Sequence, residues 1–189
     1  MATSRTVADQ GFRDLGRAWE AVAPGDDPVA DLFSLAMANR RLAQRNPHLY
    51  DLMFGLSTRA TYRPTPEKDV RRSGHSPAFR AAYAHLIAAC TRLAESDRVA
   101  AQDPKVVAAA LWSFVHGYVT LELGDHFAEF DDPVAQVMLP MGVTFCAGLG
   151  DSAEKARASH AAALKLSRRR EPAARAARSA PKRRSPAQG

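Results

Sequence analysis

Residues 101–123 form the longest apolar-periodic run in the sequence, AQDPKVVAAALWSFVHGYVTLEL, and this run constrains the fold more than any other segment. Asp103 and Pro104 mark a helix start. An aspartate accepts hydrogen bonds from the unpaired amides of a first turn, and a proline there lacks an N–H at no cost. Gly124 marks the end, and almost no polar face remains between these limits. The sequence therefore predicts a central helix buried in a core, or in a core plus a subunit interface.

The rest of the chain shows the same helical periodicity, without the alternating apolar runs that are typical of strands, so an all-α fold is expected. Residues 55–76 carry prolines and scattered charges without a period, which indicates an irregular connection and a candidate lid. Pro140 is expected to kink the last core helix. The predicted helices cover residues 7–22, 28–45, 47–54, 76–100, 101–123 and 133–149.

The formal charge of +6 is concentrated at the C-terminus, since residues 151–189 contain eleven Lys/Arg and three Asp/Glu and the remaining 150 residues carry −2. We divide the chain into a domain at residues 1–150 and a basic, Ala/Arg/Pro-rich tail at residues 151–189, helical to about Leu166 and then disordered. Such a tail is either a solvated extension or a salt-sensitive, sequence-independent phosphate contact. The residues for that contact are Arg168, Arg169, Arg170, Lys182, Arg183 and Arg184.

Several classes of function lack their motifs. The sequence contains no nucleophile elbow, zinc-protease helix, phosphate-binding glycine loop or dinucleotide fingerprint, so neither an enzyme nor a cofactor is predicted. Glu122, His126 and Glu129 are expected to be solvated because a glycine interrupts their helix, so no metal site is predicted. Cys90 and Cys146 lie in apolar helical segments, which indicates buried thiols in a reducing compartment. Without a signal peptide or an apolar run approaching about twenty residues, a cytoplasmic protein is expected.

Trp112 and His116 are four residues apart on the central helix and therefore share a face. Two interpretations stay open for this pair. His116 is either a core residue bonded to a carbonyl or hydroxyl group, or the polar anchor of a pocket where the tryptophan contacts a flat, mostly apolar ligand. Gly117 costs the helix about 1 kcal/mol relative to alanine, which indicates that another helix or a ligand approaches the backbone there.

Two motifs carry a resemblance to a known family. Trp112, His116 and Gly117 stand in the frame A-L-W-x-x-x-H-G-Y-x-x-L-E-L, and residues 46–54 read NPHLYDLMF. Together, in this order and spacing, they resemble the Trp-His-Gly type of C-terminal ligand-binding and dimerisation domain in TetR/AcrR-family transcriptional regulators. The resemblance covers roughly residues 7–150. It implies an all-helical homodimer of about six or seven helices that binds an apolar or aromatic effector and has no catalytic residues.

The resemblance also implies two sets of site residues. The effector pocket would be lined by Met37, Tyr50, Met53, Phe54, Tyr83, Trp112 and His116. The central and last core helices would pair with their copies in a second subunit, through Val134, Val137, Met138, Met141 and Phe145. For this second set the alternative is that the residues complete the core of a monomer.

Full-length regulators of this family begin with a helix-turn-helix of roughly fifty residues that reads the major groove. No such segment precedes Val7, so this chain is not expected to read an operator in that way. The expected function is the effector-binding and dimerisation part of such a regulator. Three explanations for the missing helix-turn-helix stay open: a coding start placed too far downstream, a natural sensor without a DNA-binding segment, or a basic tail that replaces that segment. The alternatives are a module that heterodimerises with a full-length regulator and a small-molecule enzyme on a helical scaffold.

Overall fold

A computed structural model describes residues 2–54 and 76–179, and the side chains of residues 6–54 and 76–169. This part of the chain is built of seven helices without strands, which confirms the all-α prediction. The predicted lid at residues 55–76 lies almost wholly outside the described residues. The helices are α1 (Ala2–Glu20), α2 (Pro28–Arg45), α3 (Pro47–Phe54), α4 (Pro77–Ala94), α5 (Pro104–Leu123), α6 (a π-helical turn Val134–Met138 followed by Leu139–Gly148) and α7 (Ala153–Ser179).

The helix starts follow local sequence signals. Asp27, Ser76 and Asp103 each precede a proline and accept hydrogen bonds from first-turn amides of α2, α4 and α5. α5 ends at Leu123 with Gly124 as its cap, as the sequence predicts. These boundaries depend on neighbouring residues only, which is why the sequence predicts them well.

The bundle core forms where α1, α2, α4 and α5 meet. α1 packs on α2, α3 and α4, and α5 packs on α2 and α4. The indole N–H of Trp19 on α1 donates to the carbonyl of Leu35 on α2 at 3.1 Å. Cys90 and Cys146 are buried free thiols, and burial raises the pKa of each to about 12. Fully buried side chains in the core include Phe12, Leu15, Val29, Tyr50, Met53, Leu93 and Val119.

The described residues cover one side of α5. Its buried residues point towards α2 and α4, whereas Val106 is 63% exposed and Leu121 is 45% exposed. A methyl group added at Gly117 would meet no atom of the described residues within 4 Å. The described residues therefore do not supply the close approach expected at Gly117. Of the two predicted environments for α5, a core plus a subunit interface fits the exposed residues of this helix.

α5 is also long and apolar enough to cross a membrane by length and composition, with a mean hydropathy of 1.4. The expectation that no run approaches this length is therefore wrong for Pro104–Leu123. The core helix of a soluble protein passes the same test, and α5 packs against two helices of the bundle. Length and hydropathy alone are thus weak grounds for a membrane span.

α6 changes its helical type along its length. The N–H of Leu139 bonds the carbonyl of Val134 five residues back, which closes a π-helical turn. Pro140 follows in the first turn of the α-helical part, where its missing N–H costs nothing. The irregularity expected at Pro140 takes the form of this π turn, because a wider turn relieves the clash between a proline ring and the preceding turn.

α7 runs further than predicted and packs on the bundle. It continues to Ser179 and contacts α2 and α6, so the predicted change to disorder does not begin after Leu166. Ala156, Ser159 and His160 are buried, and the His160 ring lies directly against Gly142 on α6. Residues 180–189 lie outside the described residues. The face of α7 that packs on the bundle repeats at three- and four-residue steps, a pattern that charge counting alone does not reveal; its buried residues are Ala156, Ser159, His160, Ala163, Leu164 and Ser167.

Arg98 joins three segments that are far apart in the sequence. Its Nε and Nη2 bond the two carboxylate oxygens of Asp151 at 2.9 and 2.6 Å. Nη1 contacts Asp27 Oδ1 at 3.2 Å, and Nη2 contacts Ser159 Oγ at 3.2 Å. The Asp151 side chain is only 1% exposed. One guanidinium therefore ties the loop after α4 to the start of α2, to the α6–α7 junction and to α7.

Candidate functional site

Aromatic rings from three other helices, α1, α3 and α4, surround the Trp112–His116 face of α5. The ring centroids of Trp112 and His116 are 4.1 Å apart, and Phe54 at the end of α3 lies 4.1 Å from His116. Tyr83 on α4 meets Trp112 edge to face at 5.5 Å. We define this aromatic cluster by its members Phe12, Trp19, Tyr50, Phe54, Phe79, Tyr83, Trp112 and His116.

Local sequence explains how these rings meet. The four-residue spacing of Trp112 and His116 puts both on one face of α5. Pro47 begins α3 immediately after the end of α2 at Arg45, which turns the chain so that Tyr50 and Phe54 reach that face. α3 has only eight residues, so its position depends on these contacts.

A chain of hydrogen bonds enters the aromatic cluster from α2. Asn39 Nδ2 lies 3.4 Å from the Tyr50 hydroxyl oxygen, which lies 2.6 Å from His116 Nδ1. Asn39 is 1% exposed. Its Oδ1 atom and His116 Nε2 are both buried and have no hydrogen-bond partner among the described residues. The chain of hydrogen bonds therefore ends at each of its two ends in a polar atom without a partner among the described residues.

Burial keeps the side chains of this hydrogen-bond chain uncharged. It lowers the pKa of His116 to about 4, because the charged imidazolium would lose its hydration. Burial likewise raises the pKa of Tyr50, against the smaller effect of its bond to Asn39. At neutral pH the site thus offers neutral donors and acceptors, with no group placed to transfer a proton readily.

The structure brings together five of the seven predicted pocket residues. Tyr50, Phe54, Tyr83, Trp112 and His116 all belong to the aromatic cluster. The other two are core residues: Met37 is buried on α2, and Met53 lies against Gly11 of α1.

Sequence reasoning missed Asn39, Phe12, Trp19 and Phe79. The sequence could have indicated Asn39, because this residue lies on the apolar stripe of α2 three residues after Ala36. A polar side chain at such a position needs a buried hydrogen-bond partner. The three aromatic residues had none, because each also has the spacing of an ordinary core position.

The aromatic cluster fills its own space. None of the three cavities described for this part of the chain is lined by Trp112 or His116. The cavity of about 450 Å³ lies between α1 and α2 and is lined by Arg17, Arg41 and Arg45 among others. A ligand at His116 would therefore have to displace a ring.

The predicted dimer residues divide into two faces of α6. Val134 and Met138 are buried in the core of the chain, Met138 completely, so they cannot reach a second subunit from this position. Met141 is 45% exposed, and Val137 and Phe145 are half-buried. The four-residue step from Val134 to Met138 continues through the buried Gly142 and Cys146, whereas Val137 and Met141 belong to the outer face. The prediction merged these two faces.

The predicted nucleic-acid residues are only partly described. Arg168 forms an exposed ion pair with Asp132, and Arg169 is exposed. Arg170 lies in α7, and Lys182, Arg183 and Arg184 lie outside the described residues.

Glu122 has a structural role. Arg40 binds its carboxylate through Nε and Nη2 at 2.7–2.9 Å, and the Tyr118 hydroxyl donates to it at 3.3 Å. The described residues contain no group of three side chains placed to hold a metal ion. The carboxylate therefore joins α2 to the end of α5.

Comparison with known proteins identifies the domain type. A search of curated proteins found no significant match. A solved structure of a protein with unknown function from Rhodococcus sp. RHA1 superimposes on this chain with a TM-score of 0.61 at 22% sequence identity. The match covers 77% of this chain and 72% of the Rhodococcus chain, so the two share a fold. The family model of the tetracyclin repressor-like C-terminal domain matches residues 32–141, more than half of the sequence. The chain therefore belongs to the tetracyclin repressor-like C-terminal domain family.

Proposed function

We propose that this chain is the effector-binding and dimerisation part of a TetR-family transcriptional regulator, acting in the cytoplasm. The observation that carries the proposal is the buried Nε2 atom of His116, which has no hydrogen-bond partner among the described residues and lies inside an aromatic cluster. Large ring surfaces with one directional polar atom suit a flat, mostly apolar effector. Domains of this family are typically non-enzymatic, and the proposal assigns no catalytic residue.

The open side of α5 and α6 supports a homodimer. Gly117 on α5 and Gly148 on α6 are exposed, and an added methyl group would meet nothing within 4 Å at either position among the described residues. A glycine inside a helix, such as Gly117, costs about 1 kcal/mol relative to alanine, and no contact among the described residues offsets that cost. Close approach by the helices of a second copy would do so. Apolar or small residues on this face are Val106, Ala109, Ala110, Leu121, Val137 and Met141.

The two proposed surfaces lie on different sides of one helix. Trp112 and His116 contact α3 and α4, whereas Gly117 and Leu121 face outward. An effector that displaces a ring beside His116 would therefore press on the helix that sets the geometry between subunits. It would shift the regulator between two geometries only if it binds one of them more tightly.

We expect Met141→Asp to weaken the dimer about 100-fold, because an unpaired carboxylate buried in an apolar interface costs several kcal/mol. Sedimentation velocity over a range of protein concentrations measures this change. Leu166→Asp is the matched control, since Leu166 is similarly exposed but lies on α7. Gly117→Leu should also dissociate the dimer, and its Cβ would meet no described atom within 4 Å. A parent protein that is monomeric at high concentration would contradict the dimer proposal.

We expect Trp112→Ala to lower the affinity for neutral aromatic compounds at least tenfold, because the largest ring surface of the cluster is removed. Isothermal titration of a panel of such compounds against the parent and the variant measures this loss. Trp112→Phe retains a ring and should lose less. Equal affinities for parent and Trp112→Ala would contradict an effector site at this position.

A further inference from the structure

Two buried polar atoms without partners mark the ends of the Asn39–Tyr50–His116 chain, which we name the relay. Each such atom costs about 1–3 kcal/mol when it is left unpaired. Native proteins seldom keep this penalty without a reason, and here both unpaired atoms belong to a single chain of bonds. The relay therefore holds a hydrogen-bonding capacity that the described residues do not use.

The direction of the relay follows from its donors. The Asn39 amide Nδ2 can only donate, so the Tyr50 oxygen accepts from it at 3.4 Å. The single Tyr50 hydroxyl proton then goes to His116 Nδ1 at 2.6 Å, where the ring must supply a lone pair. A neutral imidazole that accepts at Nδ1 carries its proton on Nε2. The unpaired Nε2 is thus an N–H donor.

A ligand that reaches this donor would take the place of the Phe54 ring. Its centroid lies 4.1 Å from that of His116 and 4.7 Å from that of Tyr50. Phe54 is the last residue of the eight-residue α3 and is half-buried, whereas Trp112 lies in the middle of α5 among five other rings. Phe54 contacts four rings, one fewer than Trp112, and its place at the end of a short helix lets it move without bending α5.

We propose that the effector is an uncharged aromatic compound with a carbonyl oxygen, which accepts a hydrogen bond from His116 Nε2 while its ring takes the place of Phe54. This inference rests on the effector site of the proposed function and specifies its ligand class. Asn39 and Tyr50 are positioning residues, since they fix which nitrogen of His116 carries the proton.

The described surroundings of His116 favour an uncharged ligand. The described rings in contact with it, Tyr50, Phe54 and Trp112, are uncharged, so none of them would compensate the charge of a buried carboxylate. An aromatic hydrocarbon would leave the Nε2 proton unpaired. A carbonyl oxygen satisfies this donor and brings no further proton that needs a partner.

Nitrogen NMR of the histidine-labelled parent protein at pH 7 tests the relay without any ligand. We expect His116 to be protonated on Nε2 and unprotonated on Nδ1. In Tyr50→Phe the hydroxyl donor is lost, and the two tautomers should exchange. A parent His116 protonated on Nδ1 would mean that the Asn39 amide is turned over and the relay runs the other way, which would overturn the proposal.

A matched ligand pair tests the carbonyl. Acetophenone and α-methylstyrene have almost the same shape, but only the first has an acceptor oxygen. In Phe54→Ala, which opens space for a ring, the ratio of their affinities should favour acetophenone about tenfold more than in Phe54→Ala/His116→Phe, as expected for one hydrogen bond in a dry site. Phe54→Leu serves if the alanine variant does not fold.

Each remaining outcome has one meaning. Equal ratios in the two variants, tighter binding of benzoate than of acetophenone, or binding of neither compound would overturn the proposal. Equal ratios with measurable binding of both compounds would leave the apolar effector site, and hence the proposed function, intact. A parent protein that does not form a dimer would contradict the proposed function and would leave the proposed ligand class untouched.

Discussion

We expect Arg98→Ala to lower the free energy of unfolding by about 3–5 kcal/mol, because it leaves Asp151 buried without its countercharge. The Asp151 side chain is 1% exposed and receives two bonds from the Arg98 guanidinium, which also contacts Asp27 and Ser159. Loss of this one side chain therefore loosens the contacts among the start of α2, the α6–α7 junction and α7. Urea unfolding followed by circular dichroism at a fixed protein concentration measures the change.

Two controls separate the effect of burial from that of charge. Arg168→Ala removes another arginine–aspartate pair, with Asp132, but this pair is exposed, so a loss of only about 0–1 kcal/mol is expected. Arg98→Lys keeps the charge and loses the two-point geometry, so an intermediate loss is expected. Equal decreases in the free energy of unfolding for Arg98→Ala and Arg168→Ala would show that the buried ion pair stabilises the fold no more than the exposed one.

Acidification from pH 6.5 to about 4 should lower the free energy of unfolding by about 3 kcal/mol through His116 alone, at about 1.4 kcal/mol per pH unit. Burial lowers its pKa in the folded protein from 6.5 to about 4, so the unfolded chain binds a proton in this window that the folded protein does not. The stabilisation is complete above pH 6.5 and is lost as the pH falls. His160 adds to the slope, since burial also lowers its pKa.

His116→Phe isolates the contribution of this histidine. The variant keeps a ring in the aromatic cluster but cannot titrate, so its stability should depend less steeply on pH between 4 and 6.5 than that of the parent. Its lower absolute stability, from the Tyr50 hydroxyl left without an acceptor, does not affect the comparison of slopes. Parallel pH profiles for parent and variant would contradict a buried, neutral His116.

The sequence predicts the helices well because their signals are local. Asp27, Ser76 and Asp103 cap helices through their own side chains. The four-residue spacing of Trp112 and His116 already places the two rings together. The Asn46-Pro47 break and the aromatic residues that follow it predict that α3 supplies Tyr50 and Phe54.

The errors occur where a second element decides. The face of α6 that is buried depends on a π turn and on its contact with α7, so the sequence alone does not separate the core residues Val134 and Met138 from Met141 on the outer face. α7 continues past Leu166 although its composition resembles that of a disordered tail. Its buried face packs on α2 and α6, and the periodicity within α7 does not specify these partners.

The sequence by itself determined the all-α class, most helix ends, the domain family and the pairing of Trp112 with His116. These features depend on contacts within one helix or on a motif only a few residues long. The tertiary structure alone decided that Asn39, Tyr50 and His116 form one chain of hydrogen bonds, that Arg98 ties three segments together, and that the described residues leave one side of α5 exposed. Each of these depends on side chains separated by tens of residues, whose approach is fixed by packing of the whole bundle.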